Sequence, residues 1–262
     1  MTREPFIRLV NVSALLRRYW MEYGRSVKAL IMADVIERFL FFVAFGFGLG
    51  RTVREVGGYD YLSFLAPGVV AGSCMFVMVM AMTYGVWERA KGHTGVWSSY
   101  LATPIKLQEI LFVELTYASI RSMPPAIIMY AASYGLGAKL DIMGMIISLP
   151  LLFVLNYVYG ALALCITVHI SRILFFSYVR GLFMMPMYLL GGIFFDIQNV
   201  PTAMYVVAHF YPLTYVIELV RPLALGESVD LVWFFSRMAV LLVVASAAFY
   251  AAYRLFKRKL FV

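Results

Sequence analysis

The sequence has little charge and almost none of the residues that build catalytic or metal sites. Only 14% of the 262 residues are charged, whereas a soluble domain has about 25%. The two cysteines and three histidines are isolated, with no spacing typical of a metal site or a disulfide framework. The chain also lacks a Gly-Lys dipeptide, and therefore a phosphate-binding loop. These absences argue against a water-soluble enzyme and a disulfide scaffold, and any ATP that the protein uses must be bound by another polypeptide.

What the sequence has instead is a large apolar content, 63% of its residues, in long runs. A transmembrane helix needs about 20 mostly apolar residues. Uncharged runs of that length include 61–87 and 142–171. The pattern predicts an all-α integral membrane protein with six transmembrane helices, at about residues 30–50, 62–85, 116–137, 143–169, 177–196 and 231–253.

Residues 197–226 are apolar but interrupted by prolines, so they are a poor candidate for a seventh span. Pro201 and Pro212 lie inside the stretch and Pro222 lies near its end. A proline in a helix interior costs about 3 kcal/mol. We therefore predict re-entrant outer helices between spans 5 and 6, as two short pieces that enter the outer leaflet and return.

The basic residues orient this arrangement. With six spans and a cytoplasmic N-terminus, fifteen of the 22 lysines and arginines lie inside, five lie outside, and Arg38 and Arg121 lie at membrane depth. An excess of positive charge is typical of cytoplasmic loops, so the net charge of +8 does not indicate nucleic-acid binding. Both termini are predicted to be cytoplasmic. Residues 1–27 mix aromatic and basic side chains and predict a cytoplasmic amphipathic interface helix ahead of a six-helix domain at 28–262, the alternative being a plain soluble lead-in.

The charges at membrane depth predict an ion pair, because a charge at the bilayer centre costs about 2.5–3.5 kcal/mol. Glu37 and Arg121 lie at similar depth when each is counted from the outer end of its span, at about 1.5 Å per residue. We predict that Glu37 is shielded from lipid and pairs with Arg121 across helices. The alternative is an Asp34–Arg38 pair on one helix face, with Glu37 in a wet cytoplasmic cleft.

Aromatic residues are frequent, at 16%, and are concentrated in the first and fifth predicted spans. Aromatic faces suit sugar rings and flat amphipathic molecules, but they are equally typical of lipid-facing positions and interface belts. The candidates for a substrate path are Phe42, Phe45, Phe183, Tyr188, Phe194 and Phe195.

The longest polar cytoplasmic segment inside the chain is 88–109, between the second and third predicted spans. Trp97, Tyr100 and Leu101 share one face of a short helix that Pro104 ends. An amphipathic helix that faces the cytoplasm is a natural docking site for a soluble partner. The alternative is a solvated helix without a partner.

Six short motifs follow one another along the chain: Phe45-Gly-Phe-Gly-Leu-Gly50, Tyr61-Leu-Ser-Phe-Leu-Ala-Pro-Gly68, Tyr100-Leu-Ala-Thr-Pro104, Gly191-Gly-Ile-Phe-Phe195, Tyr211-Pro-Leu-Thr-Tyr215 and Glu218-Leu-Val-Arg-Pro222. In this order, over about residues 28–228, they resemble the permease subunit of type-2 ATP-binding-cassette (ABC) exporters. The most similar branch is the NodJ-like one, whose namesake exports lipo-chitooligosaccharide signals, and relatives export polysaccharides and drugs.

The resemblance implies an export permease of the bacterial inner membrane, working as a homodimer with two copies of a cytoplasmic ABC ATPase. ATP and Mg²⁺ would be bound by that ATPase, and this chain would bind no cofactor. The substrate would be an amphipathic glycan or a lipid-linked or lipo-oligosaccharide, moving between the two subunits along the first and fifth spans, in contact with membrane lipid. By the same analogy residues 88–104 are a coupling helix seated in the ATPase, with coupling contacts from Glu88, Arg89, Trp97, Tyr100, Leu101, Thr103 and Pro104.

Other functions stay open at this point. The same architecture could export hydrophobic drug-like molecules. An integral membrane enzyme acting on lipids would need clustered His, Asp or Glu near the interface, where only Asp34, Glu37 and Glu114 are found. A passive channel or scaffold without an ATPase is a third possibility, and it would tolerate substitution of Trp97 or Pro104.

Overall fold

The computed structural model describes residues 9–53, 55–91 and 95–260, which are almost entirely helical. The helices are α1 (Leu9–Gly48), α2 (Tyr61–Met80), α3 (Val86–Lys91), α4 (Val96–Leu101), α5 (Leu107–Gly135), α6 (Ile142–Thr167), α7 (Phe175–Tyr178), α8 (Met185–Leu190), α9 (Thr202–His209), α10 (Pro212–Leu225) and α11 (Leu231–Leu260). Two π-helical turns, Ala81–Gly85 and Val179–Met184, join α2 to α3 and α7 to α8. We call the second joined unit, Phe175–Leu190, the fifth apolar helix, after the fifth predicted span.

A small β-hairpin departs from the predicted all-α fold. It pairs β1 (Glu55–Val56) with β2 (Tyr59–Asp60) in antiparallel fashion. Gly57 and Gly58 between the strands have φ of +61° and +82°. Both central residues of a two-residue hairpin turn of this kind need positive φ, which glycine adopts without steric cost. The Gly-Gly pair therefore reverses the chain between α1 and α2.

Helix α1 runs without interruption for 40 residues and joins two segments that the sequence predicted as separate. At about 1.5 Å per residue it is about 60 Å long, twice the roughly 30 Å hydrocarbon core of a bilayer. No proline occurs in it. The predicted boundary between residues 27 and 28 therefore falls inside a continuous helix, and an interface position for its first part stays a prediction. Residues 1–8 of that prediction lie outside the described residues.

Helix α2 is the centre of the packing, because small residues let its neighbours approach closely. Every residue from Tyr61 to Val79 is buried. A Cβ added to Gly72 would lie 2.5 Å from the Tyr188 ring, and one added to Gly68 would lie 3.1 Å from the backbone of Ile193. Helices α1, α5, α6 and α10 all pack against α2. The two glycines, four residues apart on one helix face, thus allow the close contacts that small residues permit in membrane proteins.

Three helices among the described residues are long and apolar enough to cross a membrane: Tyr61–Lys91, Ile142–Thr167 and Leu231–Lys259. The pair α9 and α10, bent by 92°, would be a fourth if it formed one broken span. The two short pieces that the prolines predicted are present as this pair. The chain is a multi-pass membrane protein with three candidate spans by length and composition, or four if the bent pair is one span, and the count of six stays a prediction.

The fifth apolar helix is shorter than the predicted span at 177–196. It ends at Leu190, and Gly192 follows with φ of +84°, a conformation that favours glycine. Phe194 and Phe195 therefore lie in the connection that leads to the 3₁₀ turn Ile197–Asn199, and not inside a helix.

The two ends of the helical bundle carry different elements. At one end the ring of Trp97 in α4 packs 5.4 Å from that of Phe256 in α11, and Tyr19 of α1 reaches the start of α5. At the other end Arg221 of α10 donates to the carbonyl of Phe64, near the start of α2. The α2–α3 unit of 31 residues, about 45 Å long, separates these contacts. The first part of α1, α4 and the end of α11 therefore share one end, opposite to α9 and α10.

Candidate functional site

The short helix α4 turns its aromatic residues inward and its small residues outward. Trp97 is 1% exposed and Tyr100 is 6% exposed, while Leu101 is half-buried. The aromatic face that the sequence suggested for docking therefore packs against the rest of the chain and holds α4 in place. Ser98, Ser99 and Ala102 are exposed on the outward side, which we call the serine face. Thr103 and Pro104, which follow it, are exposed as well.

A buried carboxylate beneath α4 connects it to its neighbours. Glu114 of α5 is fully buried. The Arg89 guanidinium donates to it from Nε at 2.8 Å and from Nη2 to its second oxygen, a bidentate geometry that is among the strongest polar contacts in proteins. The Tyr19 hydroxyl donates at 2.6 Å and the Trp97 indole at 3.3 Å. We call these four residues the Glu114 hub. Glu88, next to Arg89 in α3, is half-buried.

Aromatic contacts complete the anchoring of α4. The Arg18 guanidinium lies 5.0 Å from the centre of the Tyr100 ring, and Trp97 packs against Phe256 of α11. Burial raises the pKa of both Tyr100 and Tyr19, so both phenols stay protonated at neutral pH and Tyr19 remains a donor. Helix α4 is thus fixed to α1, α5 and α11 at once.

Five charged residues form one chain of alternating sign across α1, α5 and the fifth apolar helix. We call it the charge chain. The predicted Glu37–Arg121 pair is wrong, because Arg121 pairs with Asp34, about one turn earlier on α1, and Glu37 pairs with Arg180. The Glu37 side chain is 37% exposed. The alternative same-helix pair is present but long. The N–O distances along the chain are Arg121–Asp34 3.3 Å, Asp34–Arg38 4.0 Å, Arg38–Glu37 3.6 Å and Glu37–Arg180 2.7 Å.

A row of side-chain contacts joins one face of α1 to the fifth apolar helix and the loop that follows it. We call this row the seam. From its charged end its contacts are Glu37–Arg180, Phe41–Tyr188 and Phe45–Phe194. The three α1 residues are spaced four apart, which places them on one helix face. The ring centroids are 6.0 Å apart in the Phe41–Tyr188 contact and 4.5 Å apart in the Phe45–Phe194 contact.

The predicted path residues divide into two groups. Phe45, Tyr188 and Phe194 belong to the seam. Phe42 is fully buried and contributes to the core, whereas Phe183 and Phe195 are half-buried and have no ring contact in the seam.

Sequence analysis missed the roles of Glu114 and Arg221. Arg221 is one of the five basic residues that the sequence predicts to lie outside, but its guanidinium lies 3.7 Å from the centre of the Phe64 ring. It also donates to the carbonyls of Phe64 at 3.2 Å, Gly192 at 2.7 Å and Ile193 at 3.3 Å. Arg221 therefore links α10 to α2 and to the connection that follows the fifth apolar helix. The available signal was a charged residue inside a mostly apolar segment, which also applies to Glu114 near the start of α5.

The acids and histidines do not form an enzyme-like cluster in the described part of the chain. No group of three or more His, Cys, Asp or Glu side chains there could hold a metal ion. What the structure brings together is an anchored surface helix at one end, a charge chain between helices, and an aromatic seam.

Comparison with known proteins assigns the chain to a family. Residues 10–225 match the family described as ABC-2 type transporter. Nodulation protein J of Sinorhizobium fredii is 28% identical over 219 residues, which cover 83% of this chain and 82% of that protein. Nodulation protein J of Bradyrhizobium diazoefficiens is 27% identical over 252 residues, or 95% of this chain and 94% of that protein. The chain therefore belongs to the ABC-2 type transporter family, as a membrane transport subunit without a catalytic domain.

Proposed function

We propose that this protein is the transmembrane permease subunit of an ATP-driven exporter in the bacterial inner membrane. It moves an amphipathic glycan, or a lipid-linked or lipo-oligosaccharide, out of the cytoplasm. A separate cytoplasmic ATPase binds ATP and Mg²⁺, and the complex contains two copies of each subunit. Family membership supports the ATPase partner, and the similarity to the Nodulation protein J proteins supports the substrate class.

The Glu114 hub beneath α4 is the observation that carries this proposal. A helix that passes a push from a soluble partner to the membrane must be firmly attached and must expose a surface. Trp97 and Tyr100 attach α4, Glu114 links it to α1 and α5, and the serine face is exposed. A displacement of the serine face would therefore reach two long helices without passing through a flexible loop.

The proposed topology has six spans, with both termini in the cytoplasm. Helices α1, α5 and the fifth apolar helix complete the set with the three long apolar helices. Their charges are paired with one another in the charge chain, which lowers the cost of placing them in a membrane. The end that carries α4 is cytoplasmic, and α9 and α10 form the re-entrant segment on the outer side.

Transport follows from a difference between two states. Closure of the ATPase dimer pushes α4, moves α1 relative to the fifth apolar helix, and changes the seam. The substrate binds the two arrangements with different affinity, as any ligand-driven shift requires. Aromatic side chains of the seam offer contact to the apolar part and to sugar rings of the substrate.

The test is a pull-down of the tagged permease in a mild detergent, with mass spectrometry of the proteins that co-purify. We expect a near-stoichiometric soluble subunit with a phosphate-binding loop. Ser99→Arg combined with Ala102→Arg should release that subunit without changing the thermal stability of the permease, because both side chains are exposed. Thr202→Arg, exposed on α9 at the opposite end, is the matched control.

Two results would count against the proposal. One is a permease that purifies without such a partner. The other is a complex that survives both serine-face substitutions. Trp97→Ala is unsuitable as the main variant, because it removes the anchor of α4 and would lower stability and docking together.

A further inference from the structure

The charge chain has an excess of positive charge in a region that the proposed topology places in the membrane. It contains three arginines and two acids. Arg121 has Asp34 as its acidic neighbour, and Glu37 lies between Arg38 and Arg180. One carboxylate thus serves two guanidinium groups at the end of the chain that meets the seam.

The donors of the charge chain are incompletely used. Arg38 is 6% exposed, yet its nearest carboxylate oxygens, of Glu37 and Asp34, lie 3.6 and 4.0 Å away, beyond hydrogen-bond distance. Its Nη1 donates to the Asp34 backbone carbonyl at 2.9 Å. The Arg121 Nε and the Tyr188 hydroxyl are buried and have no hydrogen-bond partner among the described residues. Buried donors of this kind are expensive to leave unpaired, so the arrangement suits an acceptor that the chain does not itself supply.

Of these donors, Arg38 and Tyr188 lie at the seam. The side chain is 2% exposed, and its ring packs 5.3 Å from the Phe76 ring, over which Arg38 lies at 4.7 Å. The neighbouring Glu37–Arg180 pair lies at the surface of the chain, where the Glu37 side chain is 37% exposed and the Arg180 side chain is 51% exposed. Half-exposed ion pairs contribute little to stability, so this one opens easily.

We propose that the charged end of the seam binds the anionic headgroup of an amphiphile, a phosphate, sulfate or carboxylate carried on an apolar tail. The headgroup displaces Glu37 from Arg180 and accepts hydrogen bonds from Arg180, Arg38 and Tyr188. Arginine suits this role because its planar donors match oxyanions in a bidentate fashion. The apolar tail lies along the aromatic contacts of the seam. This inference rests on the proposed function, since it takes the seam as the transport path, and it narrows the substrate class to anionic amphiphiles.

The experiment measures binding to the purified permease in an uncharged maltoside detergent, without the ATPase. The probe is radiolabelled hexadecyl phosphate, and hexadecyl maltoside is the uncharged competitor. We expect Arg180→Gln to weaken binding about tenfold or more, since one charged hydrogen-bond partner is lost. Glu37→Gln should instead tighten binding, because it removes the internal competitor. Arg172→Gln, an exposed arginine outside the charge chain, should leave binding unchanged.

Three outcomes would overturn the inference. Hexadecyl maltoside could displace the probe as well as unlabelled hexadecyl phosphate does. Arg180→Gln and Glu37→Gln could both leave the affinity unchanged. Phosphatidylglycerol could compete as well as hexadecyl phosphate, which would assign the site to a bilayer lipid and not to a transported molecule. Because the ATPase is absent, each of these outcomes would leave the pull-down test of the proposed function unaffected.

Discussion

Replacement of Glu114 by glutamine tests the Glu114 hub most directly, because it removes a charge and keeps the shape. Four donor groups converge on the two carboxylate oxygens, two from Arg89 and one each from Tyr19 and Trp97. An amide has one acceptor oxygen, and its NH₂ group would face at least one of these donors. The change also removes the carboxylate charge that Arg89 contacts, and the Arg89 side chain is only 17% exposed.

The expected loss is large for a single isosteric change. Removal of one partner from a buried ion pair lowers the free energy of unfolding by about 3–5 kcal/mol. This range already includes most of the free energy lost because hydrogen-bond donors around Glu114 lose their acceptor. We therefore expect Glu114→Gln to lower the free energy of unfolding by about 3–5 kcal/mol. Glu55→Gln, at an exposed position in β1, is the matched control and should stay within about 0.5 kcal/mol of the parent protein.

The assay is reversible unfolding of the detergent-solubilised permease, combined with a double-mutant cycle. The second variant is Arg89→Gln. Because the two residues are in direct contact, the double variant should lose at least about 1 kcal/mol less than the sum of the two single losses. Strictly additive losses, or a loss below about 1 kcal/mol for Glu114→Gln alone, would refute the argument that this carboxylate anchors α4.

Three further predictions concern other parts of the bundle. Exchange of the charges of Asp34 and Arg121 should restore the folded yield that either single reversal loses, as measured by fluorescence-detected size-exclusion chromatography, and an exchange as poor as the single reversals would argue against the pair. Arg221→Met should lower the thermal midpoint, because three carbonyls lose a donor worth up to about 1–3 kcal/mol each, and an unchanged midpoint would contradict its bridging role. Gly24→Pro should abolish transport while the ATPase still co-purifies, since proline breaks a helix interior at about 3 kcal/mol. Gly24→Ala, whose added Cβ meets no atom within 4 Å, is the control, and full transport by the proline variant would show that continuity of α1 is dispensable.

The sequence predicted those elements that depend on composition and on helix-breaking residues. Prolines at 201 and 212 were enough to divide the apolar stretch into two short helices, now α9 and α10. The amphipathic pattern before Pro104 predicted α4, although not which of its faces is buried. The aromatic content of the first and fifth predicted spans led to three residues of the seam, Phe45, Tyr188 and Phe194. In each case the signal is local and does not depend on how helices are rotated against one another.

Two of the differences between prediction and structure concern the rotation of helices, and a third concerns the continuity of α1. Asp34 and Glu37 are three residues apart, so both point to the same side of α1, and only the packing of α5 decides which of them meets Arg121. A face with Trp97 and Tyr100 can bind a partner or the protein itself, and a six-residue helix buries large rings most readily against its own core. The continuity of α1 agrees with the absence of proline between residues 9 and 48, a signal that the prediction of two separate segments did not weigh.

Helix α1 explains how the Glu114 hub and the seam can belong to one mechanism. Tyr19 belongs to the hub, and Glu37 begins the seam eighteen residues later, about 27 Å along the same helix. A continuous helix passes an axial displacement from one end to the other, whereas a loop at residue 28 would absorb it. On one side α1 packs closely against α2 and α5. On the other it meets the fifth apolar helix through the seam, whose charged contact is half-exposed. A push on α4 should therefore be released at the seam, where an ion pair can exchange its partner, and not in the tightly packed core.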